Sequence, residues 1–120
     1  MLPLSVTEGA GMSKPSDLVQ GTLDLLILKI LARGPLHGYG IAAQLKAVSN
    51  EVLQVGESSL YPALQRLLLK GWVKAAWGAS ENNRRARYYR LTPAGSRQLA
   101  AERKEFDRII LAIHQVLNAS

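Results

Sequence analysis

The chain contains no cysteine, which excludes disulfide bonds, thiolate metal sites and cysteine nucleophiles. It also lacks a long apolar run. The richest one, residues 23–32, is interrupted by Asp24 and Lys29 and is far short of the ~20 residues that a membrane span needs. The first residues have neither the basic start nor the apolar stretch of a signal peptide. We therefore expect a cytoplasmic protein that makes no membrane contact.

Acidic residues are scarce where the basic residues concentrate. Residues 66–104 hold ten Lys or Arg against Glu81 and Glu102 alone, a local charge of +8 in a chain of 120 residues whose net charge is +6. A positive field on one part of the surface suits a polyanion such as nucleic acid. A solvated basic face that only aids solubility is the alternative at this level.

Nothing in the sequence indicates catalysis, a metal site or a cofactor. Residues 38–43 match the dinucleotide fingerprint G-x-G-x-x-A by letters, but a helix and a proline precede them where that fingerprint needs a strand. Small residues that let the first two helices pack closely are the better interpretation. The only histidines, His37 and His114, are far apart in sequence, and His37 is expected to be structural. Ser58 and Ser59 have no general base nearby in sequence, so we expect no enzyme.

Apolar periodicity and helix breakers predict two helices in the first half of the chain. Residues 1–16 have no periodicity and are expected to form a flexible tail, whose first eleven residues precede a second plausible start of translation at Met12. A first helix, apolar on all sides and therefore central, ends near Arg33 at a Gly-Pro pair. A second helix covers residues 38–48, with Tyr39 among the side chains that face the core.

A third helix is expected to begin at Ser58 or Ser59, either of which can cap it, because Pro62 fits only the first turn. Gly71 ends it. Its buried stripe follows helical spacing and consists of Leu60, Leu64, Leu67 and Leu68. The opposite face is small, polar and basic, with Ser59, Pro62, Ala63, Arg66 and Lys70. Such a face can approach another large surface closely, although an ordinary solvent face has the same composition.

Two strands follow, residues 72–77 and 84–91, joined by a turn-rich connector over residues 78–83. In the second strand, Tyr89 and Leu91 share a parity and are expected to face the core. That strand contains no acid and four arginines: Arg84, Arg85, Arg87 and Arg90. The sequence therefore predicts a basic hairpin.

A last helix begins with Thr92 as N-cap and Pro93 as first helical residue and runs to about Asn118. Apolar residues recur along one side of it, several at heptad spacing: Leu99, Phe106, Ile109, Ile110, Ile113, Val116 and Leu117. Three short helices and a hairpin are too small to cover this stripe, which predicts a partner helix from a second copy. The chain is therefore expected to be a homodimer, with residues 92–120 as its dimerisation helix.

Three helices followed by a basic hairpin is the element order of a winged helix-turn-helix. The expected fold is mainly α (α+β): a winged helix-turn-helix over residues 17–91 with a two-stranded wing, then the long dimerisation helix. In that arrangement the third helix enters the major groove and the hairpin follows the flanking backbone. The small polar face of the third helix and the arginines of the hairpin fall where this arrangement needs them.

Four segments in order, GTLDLLIL (21–28), GPLHGYGI (34–41), SLYPALQRL (59–67) and RYYRLTPAG (87–95), together resemble the PadR-like regulators. The resemblance covers residues 18–95. It implies a dimeric repressor that releases its operator when an inducer binds or another signal arrives, with Tyr61 and Pro62 at the start of the recognition helix. Some short members of that family hold flat ligands with a tryptophan on the C-terminal helix, whereas both tryptophans here, Trp72 and Trp77, lie in the hairpin.

The expected partner is double-stranded DNA that carries an inverted repeat with half-sites ~10 base pairs apart. The residues expected at the DNA are Ser58, Ser59, Tyr61, Pro62, Gln65 and Arg66 from the recognition helix, and Arg84, Arg85 and Arg87 from the wing. A small-molecule inducer of unknown identity is implied by the resemblance alone. A small basic RNA-binding or single-strand-binding protein is the alternative, with Tyr61, Tyr88 and Tyr89 as stacking residues. A protein-interaction module would explain the last helix but not the arginines.

Overall fold

The computed structural model describes residues 20–120, so the flexible tail expected over residues 1–16 lies outside the described residues. The described part contains α1 Gln20–Leu31, β1 Leu36–His37, α2 Gly38–Val48, α3 Glu57–Leu69, β2 Val73–Ala79, β3 Arg85–Leu91 and α4 Pro93–Leu117. This element order is that of the predicted winged helix-turn-helix with a long C-terminal helix. None of the helices in this part of the chain is long and apolar enough to cross a membrane.

Helix α1 is the centre of the hydrophobic core, as its apolar sequence predicts. It buries Leu23, Leu25, Ile27, Leu28, Ile30 and Leu31. One buried cluster joins α1 to the other two helices of the motif and to the sheet through Ile41, Leu45, Leu60, Ala63, Leu64, Leu67, Val73 and Tyr89. The expectation that Tyr39 faces the core is wrong, since it is 80% exposed. Leu45 and Ile41, which the sequence also predicts to face inward, are buried, and Tyr39 lies about 160° around the helix from Ile41.

Helix α3 begins earlier than the sequence predicts. Its N-cap is Gly56, whose carbonyl accepts hydrogen bonds from the backbone of Ser59 at 3.1 Å and Leu60 at 2.9 Å, and no side chain caps the helix. The expectation that Ser58 or Ser59 caps α3 is therefore wrong, because both lie inside the first turn. Pro62 consequently lies in the second turn and not the first, where its missing N–H leaves the Ser58 carbonyl without an intrahelical donor. The hydroxyls of Ser58 and Ser59 therefore form no capping hydrogen bond.

The core face of α3 is wider than the leucine stripe predicts. Ala63, expected on the solvent face, is fully buried because it lies between Leu60 and Leu67 on the helix surface. At the other end of α3, Gly71 adopts a φ of +75°. The Trp72 backbone N–H then donates to the Leu67 carbonyl at 3.0 Å. This left-handed closing turn confirms Gly71 as the residue that ends α3.

The sheet has the order β1-β3-β2, and both strand pairs are antiparallel. Strands β2 and β3 form the predicted hairpin, which is longer than expected because pairing continues through Gly78 and Ala79, with Ala79 opposite Arg85. The two-residue strand β1 was not predicted. Tyr89 is buried and Leu91 packs partly buried against the core, as their parity indicates.

Thr92 joins the end of α3, the base of the wing and the start of α4. Its Oγ1 donates to the Gly71 carbonyl at 2.8 Å and accepts from the Gly95 backbone N–H at 3.0 Å, so it caps α4 as predicted. Its own backbone N–H donates to the Trp72 carbonyl at 3.1 Å. Gly95 is buried against this same carbonyl, and a Cβ there would overlap it and come within 2.9 Å of the Leu91 side chain. Only glycine fits at this position.

Gly95→Ala is expected to destabilise the fold strongly, because the added Cβ cannot fit unless the Trp72 backbone or the start of α4 moves. We expect a loss of about 3 kcal/mol, which lowers the Tm by on the order of 10 °C. Gly21→Ala is the control, since a Cβ on this residue of α1 has no atom within 4 Å and should leave the Tm unchanged or slightly higher. Equal thermal unfolding of Gly95→Ala and wild type would contradict the packing.

Candidate nucleic-acid interface

Helix α3 presents a polar stripe to solvent. Ser58, Tyr61, Pro62 and Gln65 are exposed, and Ser59 is half-buried beside them. The spacing of the exposed members places them on one side of the helix, opposite the buried leucines. Hydroxyl, phenol and amide groups can each donate and accept hydrogen bonds. The stripe can therefore bond both to base edges and to phosphates.

Arg66 is engaged in an ion pair with α1. Its Nη2 donates to Asp24 Oδ1 at 2.8 Å and its Nε donates to Oδ2 at 3.3 Å, a bidentate arrangement. The two side chains are only 32% and 14% exposed, Arg66 being the more open. The hydrogen bonds to Asp24 raise the pKa of Arg66, which stays charged at every physiological pH. The structure thus gives Arg66 an internal partner in place of the open position expected from the sequence, and the pair holds α3 against α1.

Tyr61 is positioned by a glycine of α2. A Cβ on Gly38 would lie 2.6 Å from the Tyr61 Oη and 3.0 Å from its ring, so the phenol occupies space that any larger residue would fill. The small residue at the start of α2 therefore makes room for α3, whereas the sequence suggested packing against the first helix. Gly40 has a different role, because its backbone N–H donates to His37 Nδ1 at 2.9 Å. His37 is thus the N-cap of α2, the structural role expected of it.

The wing carries arginines that no acid neutralises. Arg84, Arg85 and Arg87 are all exposed, and none of them forms an ion pair within the described part of the chain. The guanidinium of Arg85 lies 4.8 Å from the ring centroid of Trp77, and that of Arg87 lies 5.8 Å from the ring centroid of Tyr89. A cation–π contact of this kind orders a guanidinium while its N–H edges stay available to phosphate oxygens.

The hairpin and α3 share one side of the sheet. The strand register places Arg85 and Arg87 on the same face as Val73 and Tyr89. Val73 and Tyr89 belong to the buried cluster that contains the leucines of α3. Helix α3 and these two wing arginines therefore lie on the same side of the sheet, where a single elongated partner can reach both.

Helix α4 leaves most of its apolar stripe uncovered in the single chain. Leu99 packs against the core, and Phe106 and Ile110 are half-buried. The four remaining members of the predicted interface are exposed: Ile109, Ile113, Val116 and Leu117. Exposed apolar residues concentrated on one side of a helix mark an interaction surface.

Three residues that shape this interface were not predicted: Asp24, Gly38 and Trp77. Asp24 carried a signal, since a single carboxylate in an otherwise apolar central helix calls for an internal cation. Gly38 and Trp77 carried no such signal, because their partners, Tyr61 and Arg85, come near them only in the folded chain. Within residues 20–120, no three side chains of His, Asp or Glu come together as a metal site needs.

A helix-turn-helix whose exposed helix stands beside an arginine-bearing hairpin with no acid in its strands defines the class of winged-helix DNA-binding proteins. Residues 27–101 match the family model described as the transcriptional regulator PadR-like family. The chain belongs to this PadR-like family of transcriptional regulators, which confirms the resemblance found in its sequence. Its function is accordingly that of a DNA-binding transcriptional regulator.

Relatives of known sequence or structure agree with the family assignment. The chain is 31% identical over 94 residues to the uncharacterized protein X of Lysinibacillus sphaericus, covering 78% of this chain and 86% of that protein. The structure of a transcriptional regulator from Clostridium thermocellum is similar with a TM-score of 0.76 at 31% identity, over 83% of this chain and 97% of that chain. A PadR family transcription regulator from Clostridium difficile gives 0.69 at 31% identity, over 82% and 100%. The winged-helix fold predicted from the sequence is thereby confirmed.

Asp24→Asn is expected to lower the free energy of unfolding by about 1–2 kcal/mol, because it leaves a half-buried guanidinium without its counter-ion. Asp107→Asn is the control, since its pair with Arg103 is about 60% exposed on both sides and should change stability by less than ~0.5 kcal/mol. In a double-mutant cycle, Arg66→Gln should cost little once Asp24→Asn is present. Fully additive losses in denaturant unfolding would mean that the pair is not coupled.

Proposed function

We propose that this chain is a homodimeric repressor that binds double-stranded operator DNA and releases it when an inducer binds. The observation that carries the proposal is the placement of the polar stripe of α3 and the unneutralised wing arginines on one side of the sheet. In a winged helix-turn-helix, the third helix enters the major groove while the wing follows the flanking backbone. The protein would act where its DNA lies, in the cytoplasm.

Helix α3 supplies the sequence-reading contacts in this proposal. Gln65 can form two hydrogen bonds to an adenine edge, and Ser58 and Ser59 suit any base. Tyr61, held over α2, donates its hydroxyl to a phosphate at the rim of the groove. Arg66 acts indirectly, because its ion pair sets the position of α3 on α1. In this proposal, neutral side chains of α3 determine the sequence specificity, and the charged contacts to phosphates come from the wing.

The dimer in this proposal forms through the uncovered stripe of α4. A second copy is the simplest partner for a helix whose exposed residues include Ile109, Ile113 and Val116 on one side. Two copies related by a two-fold axis present two α3 helices and two wings to the same duplex. The operator is then an inverted repeat with half-sites ~10 base pairs apart.

Release by an inducer is supported by the mechanical link between α4 and α3. Gly71 ends α3 and its carbonyl accepts from Thr92, the cap of α4, so a rotation of α4 within the dimer is transmitted to the recognition helix. The dimer would then have two arrangements, one whose α3 helices match the operator spacing and one whose α3 helices do not. A small molecule that binds the second arrangement more tightly lowers operator affinity, and the size of the effect is set by the ratio of its affinities for the two arrangements.

Arg87→Ala is expected to weaken binding to all duplex sequences by a similar factor, because the wing contacts phosphates and not bases. Each lost phosphate contact should lower the slope of log K against log salt by about 0.9, so a dimer that loses one contact on each wing should lose about 1.8. Arg103→Ala on α4 removes the same charge away from the wing and is the matched control. Fluorescence anisotropy of a labelled duplex, titrated at several salt concentrations, measures both quantities. An unchanged slope for Arg87→Ala would remove Arg87 from the interface.

The double variant Ile109→Asp and Ile113→Asp is expected to be monomeric, because two carboxylates cannot be buried in an apolar helix interface. Tight operator binding should be lost with it, since one half-site gives only part of the contact. Leu111→Asp is the matched control: Leu111 is exposed on the same helix but lies about 160° around it from Ile113. Light scattering that finds the double variant still dimeric would place the interface elsewhere.

A further inference from the structure

Trp77 lies in the distal half of the wing and leaves 60% of its surface exposed. The other tryptophan, Trp72, packs partly buried against the core with the Lys70 ammonium 4.8 Å from its ring centroid. A single exposed apolar residue is ordinary on a protein surface. The surroundings of Trp77 are what distinguish it, because its neighbours on the hairpin are cations.

Two arginines of the neighbouring strand β3 share the face of the hairpin that carries Trp77. Arg87 is its direct cross-strand partner, and the Arg85 guanidinium lies 4.8 Å from its ring centroid. Neither arginine is paired with an acid in the described residues. The wing thus presents an exposed indole beside two arginines of the neighbouring strand, whose N–H groups are available to a ligand.

On the opposite face of the distal hairpin, the aromatic residue Tyr88 is engaged by its neighbours within the chain. The Tyr88 ring lies over Gly78, where a Cβ would come within 3.3 Å of it, and its hydroxyl donates to the Ala79 carbonyl at 2.9 Å. His37 covers the same ring, with the two centroids 5.3 Å apart. At this end of the wing the exposed aromatic ring is therefore that of Trp77, and it lies on the face of the sheet that carries α3.

We propose that Trp77 is itself a contact to double-stranded DNA, with its indole packed against deoxyribose while Arg85 and Arg87 donate to neighbouring phosphates. The inference rests on the proposed role of the wing. Along a nucleic-acid backbone, apolar sugar faces alternate with phosphates, and an exposed indole with two arginines beside it can contact a sugar while the arginines reach the phosphates next to it. The contact adds apolar burial to the wing, which its arginines alone do not provide.

Stacking on an unpaired base is the rival use of an exposed indole. Single-strand binding proteins build such platforms from aromatic side chains on which successive bases stack. Here the open face of the hairpin carries one uncovered aromatic residue, since Tyr89 on the same face is buried and Tyr88 on the other is capped by His37. One exposed aromatic ring cannot stack successive bases, so a contact between this indole and a sugar of duplex DNA is favoured.

The fluorescence of Trp77 tests the contact directly. Trp72→Phe leaves Trp77 as the sole tryptophan of the chain. Its emission should change saturably on titration with duplex DNA, with the same midpoint as the anisotropy of a labelled duplex. If Trp72→Phe fails to fold, the difference between wild type and Trp77→Phe supplies the same signal. Unchanged emission at saturating duplex would overturn the proposal, as would a larger change with single-stranded DNA.

Affinity gives the second readout. Trp77→Leu should bind duplex about tenfold more weakly than wild type, and Trp77→Phe should recover part of the loss. Because no charge is removed, the salt slope of Trp77→Leu should equal that of wild type, unlike that of Arg87→Ala. Trp72→Phe is the matched control and should keep wild-type affinity. Wild-type affinity for Trp77→Leu would refute the contact alone, whereas absence of duplex binding by the wild type would refute the proposed function as well.

Discussion

Gly95 packs directly on the backbone carbonyl of Trp72, and this contact fixes the start of α4 against the base of the wing. Thr92 completes the junction, since its hydroxyl donates to the Gly71 carbonyl at the end of α3 and accepts from the Gly95 N–H in the first turn of α4. Three elements with separate tasks therefore meet within hydrogen-bonding distance. In the proposed dimer, the distance between the two α3 helices must match the distance between the two DNA half-sites. A rigid junction between α3 and α4 keeps that distance constant.

The elements that could be predicted from the sequence are those whose ends are set by local chemistry. Helix α4 begins at Thr92 and Pro93 because the cap and the fixed φ of proline act on neighbouring residues. Helix α3 ends at Gly71 because only glycine adopts the left-handed closing turn at little cost. The start of α3 was mistaken, since Gly56, Ser58 and Ser59 are all acceptable caps and the choice among them depends on how the preceding loop enters the helix.

The parts that could not be predicted depend on partners far away in the chain. Arg66 carried the right charge for DNA, but its carboxylate partner lies 42 residues earlier on α1. The short strand β1 exists only because β3 is there to pair with it. Ala63 is small enough for either face of α3, and the packing of the core determines that it is buried. For the candidate site, composition therefore indicated which elements carry the proposed DNA contacts, whereas the fold decided which of their side chains are exposed and unpaired in the described residues.

The central claim is that two copies of this chain read an inverted repeat in duplex DNA. Selection of bound sequences from a pool of random duplexes, with excess single strands and RNA as competitors, tests it most directly. The account predicts enrichment of a two-fold symmetric site whose half-sites lie ~10 base pairs apart. Recovery of no common sequence, or binding that the single strands or RNA remove completely, would contradict it.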